Sequence, residues 1–510
     1  MSFNLVEQPF IPCLLPEGGI EEFGLMDVFE KGHLIKEIRD ESPLVTAAIH
    51  RMLLALLHRV IAGPKSRKEW AKLWNVGAFP MDQIRKYLDE YRDCFDLLSK
   101  EKPFFQDATL RMEKHSPISR LAKELASGNN ATLFDHTSID QPPSFSLNQV
   151  ARLLIAEQSF AIGGGKSERG YTTSGPLIGG IFMLAMGENL FETLMLNLVI
   201  YDNDNPIARL EDDIPYWESN GQMKTEFPRG YLDLLTWQSR AIRLCVEETN
   251  EPSRVASIDY AQGRAFNPHD NFYEPFFPHR PDKDGVMKPL RFNTYRSLWR
   301  ESGSLFAWSR WKYGGILHHL SELTSQELIP LSAGRKLAAI GVCNDKARVD
   351  FWRHEVMPLR TEYLVDEELL RSLHTILDLT EKVAAALKWA GRVAAKETLK
   401  SGEGEPDKDR VTDYYESLAP DRLYWSRLET PFYRLLVELP DAESKEERIA
   451  KWFSDVLYRT ALDAFNETFG QCDAGSRQLK AAAIGGRELR MGLGRLRPDR
   501  RISTTSTMEA

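Results

Sequence analysis

The sequence predicts an α+β protein in two parts: a large mixed α/β N-terminal domain over residues 1–360, then a C-terminal four-helix bundle over 361–510. Three observations carry this expectation. Up to about residue 360, short extended apolar runs alternate with helical ones. After Thr361, the residues Leu369, Leu373, Ile376, Val383, Leu387 and Val393 form one long stripe at helical spacing. The later helical runs are joined by short polar loops, which makes successive helices antiparallel neighbours. With 510 residues the chain can build two to four cores, and its 42% hydrophobic and 27% charged content is that of a globular protein.

In chain order, Phe3 to Leu15 reads as an extended apolar segment punctuated by prolines. Ser42-Pro43 opens a helix that Gly63 closes, with Val45, Ile49, Leu53, Leu56 and Val60 on its buried face. His50 and His58 on it read as core residues rather than ligands. Helices follow near Arg67 to Asn75 and Met81 to Leu98, then a buried aromatic turn at Pro103-Phe104-Phe105-Gln106. Ser116 to Ala126 reads as a short helix. The polar loop after it carries Phe134 and His136, with Phe134 either anchoring the loop or stacking on a base.

Gly163-Gly164-Gly165-Lys166-Ser167-Glu168-Arg169-Gly170 is the stretch with the clearest chemical character. Residues without a Cβ let a bulky partner approach the main chain, and Lys166 and Arg169 add donors for an anion. The run ends like a phosphate-binding P-loop, but Phe160 stands where that motif needs its first glycine, and the preceding apolar spacing is helical rather than strand-like. Backbone contact with a phosphate or a nucleic-acid groove remains as the functional reading, beside that of a surface loop.

Arg254 to Pro281 reads as irregular. Its His269, Asp270 and His279 match no standard metal spacing. His318-His319 reads as structural. Leu337 to Val342, the turn Asn344-Asp345-Lys346-Ala347, and Arg348 to His354 read as a β-hairpin. Helical segments between Asp413 and Leu439 are expected to break at Pro420 and Pro431. Helices then cover Ala442 to Phe469 and Arg477 to Leu493. Eight Lys or Arg between Arg477 and Arg501, against Glu488 and Asp499, make the last stretch basic, which suits a solvated face or a phosphate backbone.

The formal charge of −9 excludes a chain that grips nucleic acid through its overall field, so any such contact must be local. Five scattered cysteines form no CxxC clip and no disulfide framework, which points to a reducing, cytoplasmic compartment. No run of about 18 apolar residues is expected to span a membrane, and no cofactor is implied.

Taken together, the Phe10-Ile11-Pro12 opening, Pro103 to Gln106, Phe134-Asp135-His136, the glycine run and the hairpin with Arg353-His354 resemble the CasA-type large subunit of Cascade, the type I-E CRISPR surveillance complex. The helical C-terminal part completes the likeness. The resemblance implies a non-catalytic subunit that reads the protospacer-adjacent motif in double-stranded target DNA, helps open it, and recruits a helicase-nuclease. Its partners would be the guide-RNA-loaded Cascade subunits. By the same resemblance, Gly163, Gly164 and Gly165 meet the motif in the minor groove, with Lys166 beside them as the donor read above, and Arg264 reaches it from the irregular loop. Asn344, Asp345 and Lys346 form the wedge, with Lys346 where the family has glutamine, and Phe134 and His136 meet the guide-RNA assembly. The alternative class is an independent nucleotide- or metal-dependent hydrolase.

Overall fold

The computed structural model describes residues 2–122, 143–167, 169–201, 213–219, 226–246, 254–267, 273–311, 314–331, 334–345, 348–400, 404–470 and 475–498. It is a mixed helix-and-strand fold that divides into two compact units. One comprises 1–298 and 308–359, the other 299–307 and 360–510.

The first unit is organised on the helix Pro43–Ile61. Pro43 supplies a preset φ at the first turn, and Ala62 ends the helix in the left-handed conformation (φ 50°). By length and mean hydropathy (1.5) this helix could cross a membrane, contrary to the expectation from apolar runs, but 78% of that stretch is buried inside the fold. It packs against the helix Leu147–Phe160, the short helix Tyr231–Leu235 and the strand Lys336–Asp345. Arg51, on its buried face, donates to the Leu234 carbonyl (2.7 Å) and pairs with buried Glu274 (2.9 Å). His50, His58 and His319 are buried too, and burial holds their imidazoles neutral, lowered to about 4, about 3 and about 3.

Among the described residues this unit has three three-stranded antiparallel sheets. Ile11–Leu14 lies between Ile20–Phe23 and Glu37–Ile38. Ser257–Gln262 lies between Ser116–Pro117 and Arg240–Cys245, and Lys336–Asp345 between Phe182–Met186 and Arg348–Pro358.

Several local expectations change. The N-terminal extended segment is a strand only at Ile11–Leu14. The helix from Met81 stops at Glu90 and gives way to a 3-10 turn, Arg92–Phe95. Ser116–Pro117 is a strand followed by a 3-10 turn, Ile118–Leu121, because its backbone pairs with Ser257 and Ile258. Within the stretch read as irregular, Ser257–Gln262 is a buried strand, paired from Ser257↔Cys245 to Gln262↔Arg240.

The second unit is helical: Glu367–Leu399, Lys408–Leu418, Pro420–Glu438, a continuous stretch from Lys445 through a π-helical turn to Phe469, and Ser476–Arg495. Glu367–Leu399 packs against each of the others. Pro431 does not break its helix. Flanking Leu428, Phe432 and Leu435 are buried, and their packing outweighs the one hydrogen bond a proline removes. Gly391 and Gly485 let neighbours close in: a Cβ at Gly391 would meet the Tyr415 ring at 2.5 Å, and one at Gly485 the Phe465 ring at 2.7 Å. Trp299–Ala307 joins this unit from an earlier part of the chain. Trp299 packs on Phe432 (ring centroids 4.5 Å apart), Phe306 stacks on Tyr363 (5.5 Å), and Arg300 lies over Trp425 while pairing with Glu381.

Candidate nucleic-acid interface

The glycine run forms one arm of a ribbon rather than a loose loop. Lys166–Ser167 pairs with Gly170–Tyr171, and the pairing continues toward the root. Gly164 N–H donates to the Thr172 carbonyl (2.9 Å), Gly165 N–H to Thr172 Oγ1 (3.0 Å), and Gly163 N–H to Ser174 Oγ (3.3 Å). Gly164 needs its glycine for backbone reasons, with φ at +104°. Gly163 needs it for space, since a Cβ would lie 2.6 Å from the Ser174 nitrogen.

Buried Arg240 locks the root. Its guanidinium donates to the carbonyls of Ile162 (2.8 Å) and Thr173 (2.9 Å), one on each arm, and to the Tyr260 hydroxyl (2.9 Å). That hydroxyl donates on to Glu157 Oε1 (2.7 Å). A buried guanidinium with this many partners fixes the direction in which the ribbon leaves the core. Gly164, Gly165, Lys166 and Tyr171 are exposed on it, and Tyr171 stands opposite Lys166 in the register.

Beside the ribbon lies a cleft of about 830 Å³, bordered by Asp107, Arg169, Tyr171, Tyr216, Gln262 and Arg264 among others. Burial pushes the Tyr216 phenol up to about 12, so it stays a neutral donor, here to the Gln106 carbonyl (2.8 Å). Arg169 pairs with Asp107 (2.9 Å). Arg264 borders the same cleft, with its guanidinium held by Asp233 through two bonds (2.6 and 3.1 Å) and lying over the Trp237 ring (3.6 Å).

The hairpin Lys336–Asp345 and Arg348–Pro358 carries the third group of expected residues. The neighbouring strand Phe182–Met186 covers it only as far as Ile340, so the half beyond pairs with itself alone. The register shifts between Cys343 and Asn344. Asn344 and Asp345 end the first strand, whereas Lys346 lies outside the described residues, as do Phe134 and His136. Arg353 ties the second strand of the hairpin down by donating to the carbonyls of Asn293 (2.9 Å) and Thr294 (3.1 Å). The structure thus gathers Arg169 and Tyr171 of the glycine ribbon and Arg264 around one cleft.

In the second unit, Arg477, Lys480, Arg487, Arg490, Arg495 and Arg497 are exposed along the final helix and just past it. Arg240, Tyr171 and Gln262 were not singled out from sequence. Arg240 and Gln262 sit within strand-like runs, and only the fold brings them to the ribbon. The P-loop alternative lacks its geometry: a helix precedes the glycines, and Lys166-Ser167 lies on a strand instead of opening a helix.

The family model for CRISPR-associated protein Cse1 matches residues 4–464. The chain is 34% identical over 511 residues to the CRISPR-associated protein CasA/Cse1 of Thermus thermophilus, covering 97% of this chain and 98% of the relative. Among solved structures, Cse1 of Acidimicrobium ferrooxidans superposes with a TM-score of 0.80 at 24% identity, covering 98% of each chain. A chain of a CRISPR RNA-guided surveillance complex superposes with a TM-score of 0.73 at 21% identity, covering 96% of this chain and 99% of that one. With a family model spanning most of its length and a relative matched nearly end to end, the chain belongs to the Cse1 (CasA) family of CRISPR-associated proteins.

Proposed function

We propose that this chain is the non-catalytic DNA-recognition subunit of an RNA-guided CRISPR surveillance complex. It reads the protospacer-adjacent motif in double-stranded target DNA, helps separate the strands for the guide RNA, and recruits the helicase-nuclease. The observation that carries this reading is the glycine ribbon: a rigidly rooted projection whose exposed edge is Gly164, Gly165 and Lys166. The minor groove is narrow and its acceptor pattern is degenerate, so it admits a thin backbone edge and discriminates weakly among base pairs. Because the three glycine amides are already spent within the ribbon, the fit works through shape and through Lys166 on phosphate, and tolerance for several motifs follows.

The self-paired half of the hairpin, ending in Asn344, Asp345 and Lys346, acts as the wedge beside the motif. Exchange of duplex DNA for an RNA–DNA heteroduplex is nearly balanced, so a few kcal/mol of local contacts suffice to start it. Arg264 supports the motif from the cleft. Phe134 and His136 meet the guide-RNA-loaded subunits, which supply the basic channel that a chain of charge −9 lacks.

The test uses the guide-loaded complex without this chain. The chain is added back and a matched duplex with randomised flanking bases is titrated. Binding that requires the chain, selects a few flanks, and is lost on Gly164→Asp supports the reading. Binding indifferent to flank and substitution overturns it.

A further inference from the structure

Outside the proposed interface, one cluster of metal-ligating side chains comes together from three neighbouring segments of a single sheet. His115 immediately precedes the strand Ser116–Pro117, Cys245 ends the strand Arg240–Cys245, and Asp259 lies in the strand Ser257–Gln262 between them. His115 Nδ1 is 2.7 Å from Asp259 Oδ1 and 3.3 Å from Cys245 Sγ, and one ligand atom from each residue falls within 4.8 Å of the others. Among the described residues this is the one such group.

A second observation concerns Asp259 itself. Its side chain is 1% exposed, and Oδ2 has no hydrogen-bond partner, with Arg243 Nη1 standing off at 3.5 Å. A buried carboxylate whose second oxygen makes no hydrogen bond and has only a long ion pair to Arg243 has room for a closer cation. His115 is exposed and Cys245 half-buried, so an ion and a water as fourth ligand can reach the group.

We propose that His115, Cys245 and Asp259 form a structural site for a thiophilic divalent cation, zinc by its chemistry. One thiolate, one imidazole and one carboxylate are ligands zinc accepts, and tetrahedral bond lengths place such atoms roughly 3.2–3.7 Å apart. The Cys245–His115 distance already fits. The His115–Asp259 pair opens by about half an ångström as the ion replaces their shared proton. On binding, the Cys245 thiol releases its proton to solvent and forms the metal–sulfur bond. The imidazole binds through Nδ1 with its proton on Nε2, and Asp259 binds as the carboxylate. The ion would tie the Cys245–Ser257 end of the central strand pair to the segment entering the sheet at Ser116.

The test strips the full-length protein with a chelator and titrates it with Co²⁺ alone. The expected result is one equivalent bound, with a thiolate-to-cobalt charge-transfer band that Zn²⁺ abolishes by displacement. Cys245→Ser should remove the band, and His115→Gln should weaken binding at least tenfold. Both residues are partly exposed, so both variants should fold, and Cys343→Ser should leave the band unchanged. Absence of the band in the parent protein, or its survival in Cys245→Ser, overturns the proposal. Neither result depends on DNA binding, so the recognition role is tested separately.

Discussion

Arg264 and Asp233 form a two-pronged ion pair in which the carboxylate is 1% exposed and the guanidinium 12% exposed, roofed by the Trp237 ring. A residue expected to touch DNA is therefore also part of the wall that shapes the cleft. Arg264→Ala would strand a buried carboxylate, with an expected cost of about 3–5 kcal/mol. Denaturant unfolding measures it. Arg264→Lys keeps the charge but loses the paired geometry, and should recover only part of the stability. A motif-binding defect in Arg264→Ala counts as a contact only if the loss persists in protein shown to be folded.

The three glycines should respond differently to alanine. Gly163→Ala drives a Cβ into the Ser174 backbone, and Gly164→Ala imposes a side chain on φ +104°. Both should loosen the ribbon. At Gly165 the added Cβ meets only Thr172 Oγ1 at 3.5 Å, an ordinary contact. Gly165→Ala should therefore leave the melting temperature unchanged and still weaken motif-dependent binding. Unaltered binding in that variant would remove the groove-edge role from Gly165.

Lys166 and Tyr171 divide the ribbon's remaining contacts into charge and surface. Lys166→Ala should reduce the slope of log affinity against log salt by about 1, the signature of one phosphate contact. Tyr171 is 76% exposed, and an aromatic face beside a lysine proposed to contact phosphate suits sugar or base contact. Tyr171→Ala should weaken target binding about tenfold, within the ~1–3 kcal/mol range of a base stacked on an aromatic side chain. Tyr171→Phe should not. Filter-binding titrations across salt concentrations separate the two effects.

The buried histidines make stability depend on pH. In the folded protein burial lowers His50 to about 4 and His58 and His319 to about 3, whereas the unfolded chain protonates near ~6.5. Their stabilising effect is complete above that value. It falls as the pH drops from about 6.5 toward 4, because the unfolded state takes up protons the folded state refuses. Urea midpoints at pH 7.5, 6 and 5 should decline in that order, and His319→Leu should flatten the decline.

Legibility followed the range of the interactions. The helix from Pro43 and the hairpin from Lys336 carry their own periodicity and end signals, so a linear reading finds them. Pro431 misled because a local rule was outweighed by Leu428, Phe432 and Leu435 packing around it. The strand Ser257–Gln262 was missed because buried Asp259 interrupts its apolar pattern. Arg240 and the His115–Cys245–Asp259 group were invisible for a plainer reason: their partners lie far away in sequence, and no spacing rule encodes a meeting that only the sheet arranges. The glycine run was visible, but the pairing of its amides with Thr172 and Ser174 was not.

The placement of Trp299–Ala307 within the helical unit has a consequence for synthesis. The ribosome releases Trp299 about 130 residues before Phe432, an interval on the order of ten seconds at ~5–20 residues per second. For that time Trp299 lacks its Phe432 partner, and Phe306 waits 57 residues for Tyr363. The nascent chain must therefore carry an adhesive segment between two maturing regions, and its yield should depend on translation speed and on holding chaperones during that window.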